Sequence, residues 1–375
     1  MLQAIEIEAQ PKQQGLALLH GERPAGGAGR ESRTKDEYCQ ALPSTQPQRR
    51  SSMEGSKLKK LTGVVPIIPI PFDEHDEIDE EALRGLVEFA VSSGVGAICL
   101  PAYASEFYKL SDQERIRVVR VAVDQAAGRV QVIAQSNHGS ARVALGVARA
   151  HVENGADLIS VAIPRQFGLP NDDLLGFLTL IINGAGVPCL VQDFNPGGIT
   201  VDVRFVTRLM AECPNFLYLK LEEALLAPKV IAIREATKEK IGILEGWGGL
   251  YMMELIPLGI CGIMPGLALA DGLNLAFKLR AGNKSAAAFQ LYEKLLPQLV
   301  FTLQNLELFL YCEKRLLQAR GLLSNARCRN AAFTPDPDTV RYVDELNERM
   351  MQALDKAALS ATAERAGLAR IPSRG

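Results

Sequence analysis

The chain has 375 residues, 47% of them apolar, with a formal net charge of -2 and a mean hydropathy of +0.05. That length holds one large α/β domain with an appendage, or two ordinary domains, and the near-neutral charge offers no electrostatic handle for nucleic acid or an anionic membrane. No apolar run reaches the ~18–20 residues of a membrane helix. Seven scattered cysteines form no C-x-x-C pair, and Cys99, Cys189 and Cys261 sit inside apolar, strand-like runs; this usage predicts reduced thiols and a cytoplasmic protein. Four histidines without a common spacing give no metal site.

Residues 1–56, rich in Gln, Gly, Pro, Ser and charge, read as a disordered or non-native extension without a secretory apolar segment. A translation start at Met53 would account for it. From Leu61 a strand and helix alternation begins. "GVVPIIPIPF" reads as a strand, and "DEEALRGLVEFAVSSG" as a helix with Leu83, Leu86, Val87 and Ala90 on one face and a stop at Gly94. "GAICLPA" is the second strand; Ser111 and Glu114 open the next helix with an S-x-x-E capping box. "VQVIAQS", "ADLISVAIP" and "VPCLVQDF" follow as strands three to five, each with a helix behind it. The sixth, "FLYLKL", carries Lys220 near the end of an apolar run. "IGILEG" and "ICGIMPG", with their helices, complete eight units.

Apolar strands that each lead into a helix indicate a parallel sheet covered by helices. Eight units are the count of a (β/α)8 TIM barrel, here over residues 61–282. The competing doubly wound α/β sheet should carry G-x-G-x-x-G after its first strand, and "PIIPIPFDEHDE" has nothing of the kind. Beyond Gly282 the strands stop. Residues 283–360 read as a C-terminal helical appendage of about three helices, and 361–375 as a tail.

In such a barrel the reactive groups come from the C-terminal ends of the strands. Lys220 stands at that end of strand six. Turned inward, its amine would be desolvated and nucleophilic toward carbonyls; turned outward, it would merely mark the strand end. The same rim carries Tyr103, Ser105 and Glu106, then Gln135, Ser136 and Asn137, then Gln192 and Asp193, Glu245 and Gly246, and Met264 and Pro265. One amine, few charges and no metal cluster suit Schiff-base chemistry better than metal-assisted hydrolysis. "GWGG" at 246–249 lies where many barrels bind phosphate, but a tight turn is the simpler reading.

With these residues in view, positions 61 to about 350 resemble the dihydrodipicolinate synthase and N-acetylneuraminate lyase family of pyruvate-handling class I aldolases. "SGVGAICLPAYASEFYKLSDQER" is similar to the block around that family's G-[ST]-T-G-E turn, and "ENGADLISVAIP" to its fourth strand. "FLYLKLEE" is similar to its Schiff-base block, with Lys220 at the lysine, and "LEGWGGLYMMELIPLGICGIMPG" to its last two strands. The resemblance implies a covalent imine on Lys220, no metal, no dissociable cofactor, a small 2-oxo acid substrate, and a homotetramer or homodimer.

The departures are specific. Tyr103 and Ala104 replace the family's hydroxyl pair, and Gln192, followed by Asp193, stands where the family has a proton-shuttling tyrosine. "NPGGIT" lacks the arginine used for a second carboxylate, and "PRQFGLP" lacks the tyrosine lent to a neighbouring subunit, which disfavours dihydrodipicolinate synthase itself. The implied activity is a lyase or aldolase in which Lys220 forms the imine and Tyr103 or Asp193 handles protons. Ala104 and Ser105 would hold the carboxylate through their backbone, with Gln192, Gly246 and Met264 around the substrate. A hydro-lyase acting on a deoxy-oxo sugar acid and a non-catalytic keto-acid binder are the alternatives. Glu222 and Glu245 add carboxylates near the mouth, although Glu222 would fit a solvent-facing position equally well.

Overall fold

The computed structural model describes residues 59–368 except 166–167, 196–197, 199 and 331; the expected extension and residues 369–375 of the expected tail lie outside the described residues, while the first part of that tail, to Arg365, continues a helix. In chain order the barrel elements are β1 (Gly63–Val64), α1 (Glu80–Ser92), β2 (Ala97–Leu100), α2 (Asp112–Ala126), β3 (Gln131–Gln135), α3 (Ala141–Glu153), β4 (Leu158–Ala162) and α4 (Asn171–Ala185). The second half continues with β5 (Cys189–Phe194), α5 (Val203–Glu212), β6 (Phe216–Glu222), α6 (Leu226–Thr237), β7 (Gly242–Glu245), α7 (Met252–Leu255), β8 (Gly262–Ile263) and α8 (Ala270–Ala281). The strands pair in parallel in the order β1-β8-β7-β6-β5-β4-β3-β2. Ile67 bridges to Cys99 on one side and Gly266 on the other, which draws the two ends together into a (β/α)8 barrel.

The first strand is much shorter than its apolar run suggests. Pro66, Pro69 and Pro71 have no N–H to give to a ladder, so regular pairing ends at Val64; beyond it the Val65, Ile67 and Ile68 N–H groups still donate to the carbonyls of Ile263, Pro265 and Cys99. Elsewhere local signals hold. Asp79 caps α1 by accepting from the Ala82 N–H at 2.9 Å, and Ser111 and Glu114 form both halves of the capping box on α2. Gly155 turns the chain from α3 toward β4 at φ +92°, and a Cβ there would lie 2.8 Å from Val123 Cγ1, so no other residue fits without displacement.

Strand alternation separates two cores. Leu61, Val65, Ile133, Leu158, Leu190, Tyr218 and Leu244 fill the barrel interior, where the Tyr218 hydroxyl accepts from the Leu61 N–H at 3.0 Å and closes the floor. Leu219 and Leu221 belong to the other core, between strands and helices. On β6, therefore, Tyr218, Lys220 and Glu222 point inward.

Four helices, rather than about three, follow the barrel among the described residues: α9 (Ser285–Thr302), α10 (Leu306–Ala319), α11 (Pro337–Ala353) and α12 (Lys356–Arg365). The run from Ser285 to Ala319, which reads as helical throughout, breaks where Asn305 caps α10 by accepting from the N–H groups of Glu307 (2.8 Å) and Leu308 (3.2 Å). That break lays Leu303, Asn305 and Leu306 against the barrel mouth. Glu106, fully buried in the loop after β2, fastens the arrangement. It accepts from Lys314 Nζ of α10 at 2.5 Å, from Lys109 Nζ at 3.0 Å and from the Arg329 N–H at 3.0 Å.

Removing Glu106 would leave the Lys314 ammonium, 1% exposed, without its carboxylate. Glu106→Ala should lower the free energy of urea unfolding by about 3–5 kcal/mol; a loss well under 1 kcal/mol would show that the buried pair does not hold the appendage.

Candidate active site

Lys220 lies 6% exposed at the bottom of a pocket in the barrel mouth that encloses about 630 Å3, open end included. Burying an ammonium is unfavourable unless a counter-charge comes with it. Glu222, two residues on and on the same strand face, supplies it: its Oε1 is 3.1 Å from Lys220 Nζ. The same oxygen accepts from Gln192 Nε2 at 2.6 Å, and Gln135 Nε2 in turn donates to Gln192 Oε1. Gln192 is the register partner of Lys220 across β5 and β6. The relay from β3 to β5 passes over β4, whose inward residues at this height, Ser160 and Ala162, are small. Arg115 of α2 steadies the end of β3 by donating to the Asn137 carbonyl at 3.1 Å.

Burial pushes the Glu222 carboxyl above its ordinary value, while Lys220 and Gln192 pull it back. Tyr103 shares the pocket, and its phenol is raised first by burial and then by the negative charge of Glu222. Cys99, deeper in the barrel, has its thiol pushed up to about 12 by burial, which leaves it inert as a nucleophile.

Among the residues singled out from the sequence, Tyr103, Ala104, Gln192, Lys220, Gly246 and Met264 line this one pocket. Ser105 stands behind it, fully buried, with its hydroxyl donating to the Ile68 carbonyl at 2.6 Å. Asp193 is set apart from Lys220. One residue beyond Gln192, it faces outward, where Arg165 donates to both its oxygens at 2.9 and 2.7 Å and the Val201 N–H adds a third bond at 2.6 Å. A carboxylate so paired fastens two rim loops and has no free lone pair aimed at the pocket. Gly246 works by having no side chain: a Cβ there would lie 2.3 Å from Glu222 Cγ. The "GWGG" segment is a tight turn whose Gly249 N–H donates to Glu245 Oε2 at 2.7 Å.

Three features were missed or left open by the sequence reading. Glu222 was named near the mouth with its orientation undecided, and parity settles it, since residues 220 and 222 must share a face. Trp247 and Phe194 line the pocket from strand ends whose neighbours drew more notice, and Leu303, Leu306 and Phe309 reach it from the appendage. No local signal marks that last group. Among the described residues no three His, Cys, Asp or Glu side chains gather to hold a metal ion, and no helix is long and apolar enough to cross a membrane.

Comparison with known proteins matches residues 60–345 to the model of the dihydrodipicolinate synthetase family. The L-2-keto-3-deoxyarabonate dehydratase of Azospirillum brasilense is 25% identical over 294 residues, which cover 76% of this chain and 94% of that enzyme. The 4-hydroxy-tetrahydrodipicolinate synthase of Acidobacterium capsulatum is 27% identical over 243 residues, 64% of this chain and 80% of its own. Among solved structures, dihydrodipicolinate synthase from Rhodopseudomonas palustris matches with a TM-score of 0.72 over 77% of this chain and 97% of that one, at 23% identity, a likeness of fold.

Two buried carboxyls near the mouth set a pH dependence. Burial pushes both Glu245 and Glu313 up to about 7. The unfolded chain releases these protons near the ordinary carboxyl range and the native state near 7, so stability falls as pH rises between those values. Each group contributes a slope of up to about 1.4 kcal/mol per pH unit. Glu313→Gln, which keeps an acceptor for the Ala268 N–H now bonded at 2.7 Å, should flatten the loss of urea stability between about pH 5 and pH 7. An unchanged slope would contradict the assignment.

Proposed function

The chain belongs to the dihydrodipicolinate synthetase family and is a lyase of its Schiff-base class, and from that premise we propose that Lys220 condenses with a 2-oxo acid and that Glu222 carries the protons. The buried contact between Lys220 and Glu222 is the observation that supports this most directly. Transfer of a proton along it turns an ammonium and a carboxylate into a free amine and a carboxylic acid. The amine adds to the C2 carbonyl, and the departing hydroxyl takes the proton back from Glu222 and leaves as water.

Carbon–carbon cleavage then follows. The C4 hydroxyl of the substrate gives its proton to the Glu222 carboxylate, the C3–C4 electron pair flows into the iminium to form an enamine, and an aldehyde leaves. Protonation at C3 and hydrolysis of the imine release the shorter 2-oxo acid and restore Lys220. The imine itself is the electron sink, so no dissociable cofactor enters. Gln192 cannot exchange a proton near neutral pH; its part is to fix the Glu222 carboxylate. Tyr103 offers a second donor across the pocket. Of the Ala104 and Ser105 backbone pair expected to hold the carboxylate, the Ser105 N–H is committed to the Ala102 carbonyl at 2.9 Å; the N–H groups of Tyr103 and Ala104, which open the turn after β2 where a helical turn leaves donors unpaired, suit the carboxylate instead, with Ser105 holding the turn in place. Asp193, neutralised by Arg165, takes no part. A homodimer or homotetramer in the cytoplasm is the setting this reading carries over from the family.

Dehydration through the same imine is the second reading, supported by the likeness to the Azospirillum dehydratase. Glu222 would then take the C3 proton and return it to the C4 hydroxyl, which leaves as water. Product analysis separates the two: cleavage yields two shorter molecules, and dehydration one of unchanged carbon count.

Incubation with pyruvate and borohydride should place a stable adduct on Lys220, seen by intact mass and peptide mapping and absent from Lys220→Ala. A full panel of 2-oxo acids without an adduct would overturn the reading. Glu222→Gln should lower kcat by about 10²- to 10⁴-fold while trapping at Lys220 persists; a variant within about threefold of wild type would remove Glu222 from the chemistry.

A further inference from the structure

The pocket divides sharply by polarity along its depth. Its charged and amide side chains, Lys220, Glu222 and Gln192, lie together at the bottom. Above them one wall is a row of rings: Tyr103 packs on Phe194 with centroids 5.3 Å apart, and Phe194 on Trp247 at 6.5 Å. Leu303, Leu306 and Phe309, from the junction of α9 and α10, complete the upper lining. At the mouth Asn305 adds an amide, but its oxygen is already taken by two N–H groups of α10. Among the described lining residues Lys220 is the one cation, and the iminium fixes that charge at C2.

That division bears on the part of the substrate beyond C4. A second carboxylate there would meet no positive charge, and a chain of hydroxyls would be stripped of water against rings and leucines with few partners to replace it. A flat apolar group would instead pack among the aromatic row and the leucine side chains, in offset or edge contact with the rings. We propose that the enzyme is selective for 2-oxo acids whose far end is an aryl or short alkyl group, in preference to sugar-derived polyols and dicarboxylic acids. This rests on the Schiff-base reading for the position of C2, but concerns the opposite end of the substrate. With 4-hydroxy-4-phenyl-2-oxobutanoate the step would be the one already balanced: the C4 hydroxyl proton goes to Glu222, the C3–C4 pair to the enamine, and benzaldehyde leaves.

Trp247 is the single tryptophan of the chain, so intrinsic fluorescence reports this wall and little else. In Lys220→Met, which forms no imine, 2-oxo-4-phenylbutanoate should bind at least about tenfold more tightly than 2-oxoglutarate or a 3-deoxy-2-oxo-pentonate. In the wild type, kcat/KM for the phenyl hydroxy acid should exceed that for the polyol by about tenfold or more. Leu306→Arg, which sets a guanidinium at the mouth, should shift binding toward 2-oxoglutarate. Equal or tighter binding of the polyol or the diacid by the unaltered wall would overturn the proposal. Borohydride trapping with pyruvate keeps the two readings distinct: a failed trap with the fluorescence order intact removes the imine and leaves the selectivity, whereas a successful trap with the order reversed removes the selectivity alone.

Discussion

An ammonium held 6% exposed inside a barrel has to be answered by a negative charge, and most of the site follows from that requirement. Glu222 answers it from the same strand face. A carboxylate buried to 5% exposure then needs a donor of its own, which Gln192 provides, and Gln192 needs its orientation fixed, which Gln135 does from two strands away. Gly246 is small because Glu222 occupies the space a side chain would need. The amide in place of the expected tyrosine thus belongs to a different solution of the same problem. Where a phenol would both donate and exchange a proton, the proposed reaction splits the tasks: Gln192 donates to Glu222, and exchange would fall to Glu222.

The barrel was legible because buried parallel strands leave a strong mark: short apolar runs at regular spacing, most of them entered from a glycine turn that ends the preceding helix, and each followed by another helix. The first strand misled, since composition announces an apolar run and only the prolines say that it cannot pair regularly along its length. Lys220 was legible from its place at a strand end. Glu222 and Asp193 show the limit more finely. Both are acidic residues at strand ends on the rim, and one lies in the site while the other lies outside it. Strand parity, counted from Lys220 along β6 and from Gln192 along β5, separates them. The wall formed by Leu303, Leu306 and Phe309 was not legible, because it depends on where a long helical run breaks and on how an appendage packs some 80 residues after the lysine.

Buried carboxylates serve several ends around this mouth. Glu106 is matched by full cations and acts as a fastener. Glu245 and Glu313 are met mainly by backbone N–H groups, so burial holds their affinity for a proton high. Glu222 stands between these cases, with one ammonium and one amide on a single oxygen, which leaves its other oxygen available to a substrate. The same functional group becomes a rivet, a proton reservoir or, in the proposed reaction, a working acid according to what it faces.

The fastening of α10 by Glu106 and Lys314 has an evolutionary consequence. Bond-making groups ride on the strands, whereas part of the surface that would judge the rest of the substrate rides on a helical segment tied to the barrel through Glu106 with Lys314, Lys109 with Glu307, and Glu313 with the Ala268 N–H. Drift in the junction of α9 and α10 therefore alters what is accepted while the imine machinery stays untouched. An inherited reaction is free to change clientele through the appendage, and two proteins with identical strand ends need not share a substrate.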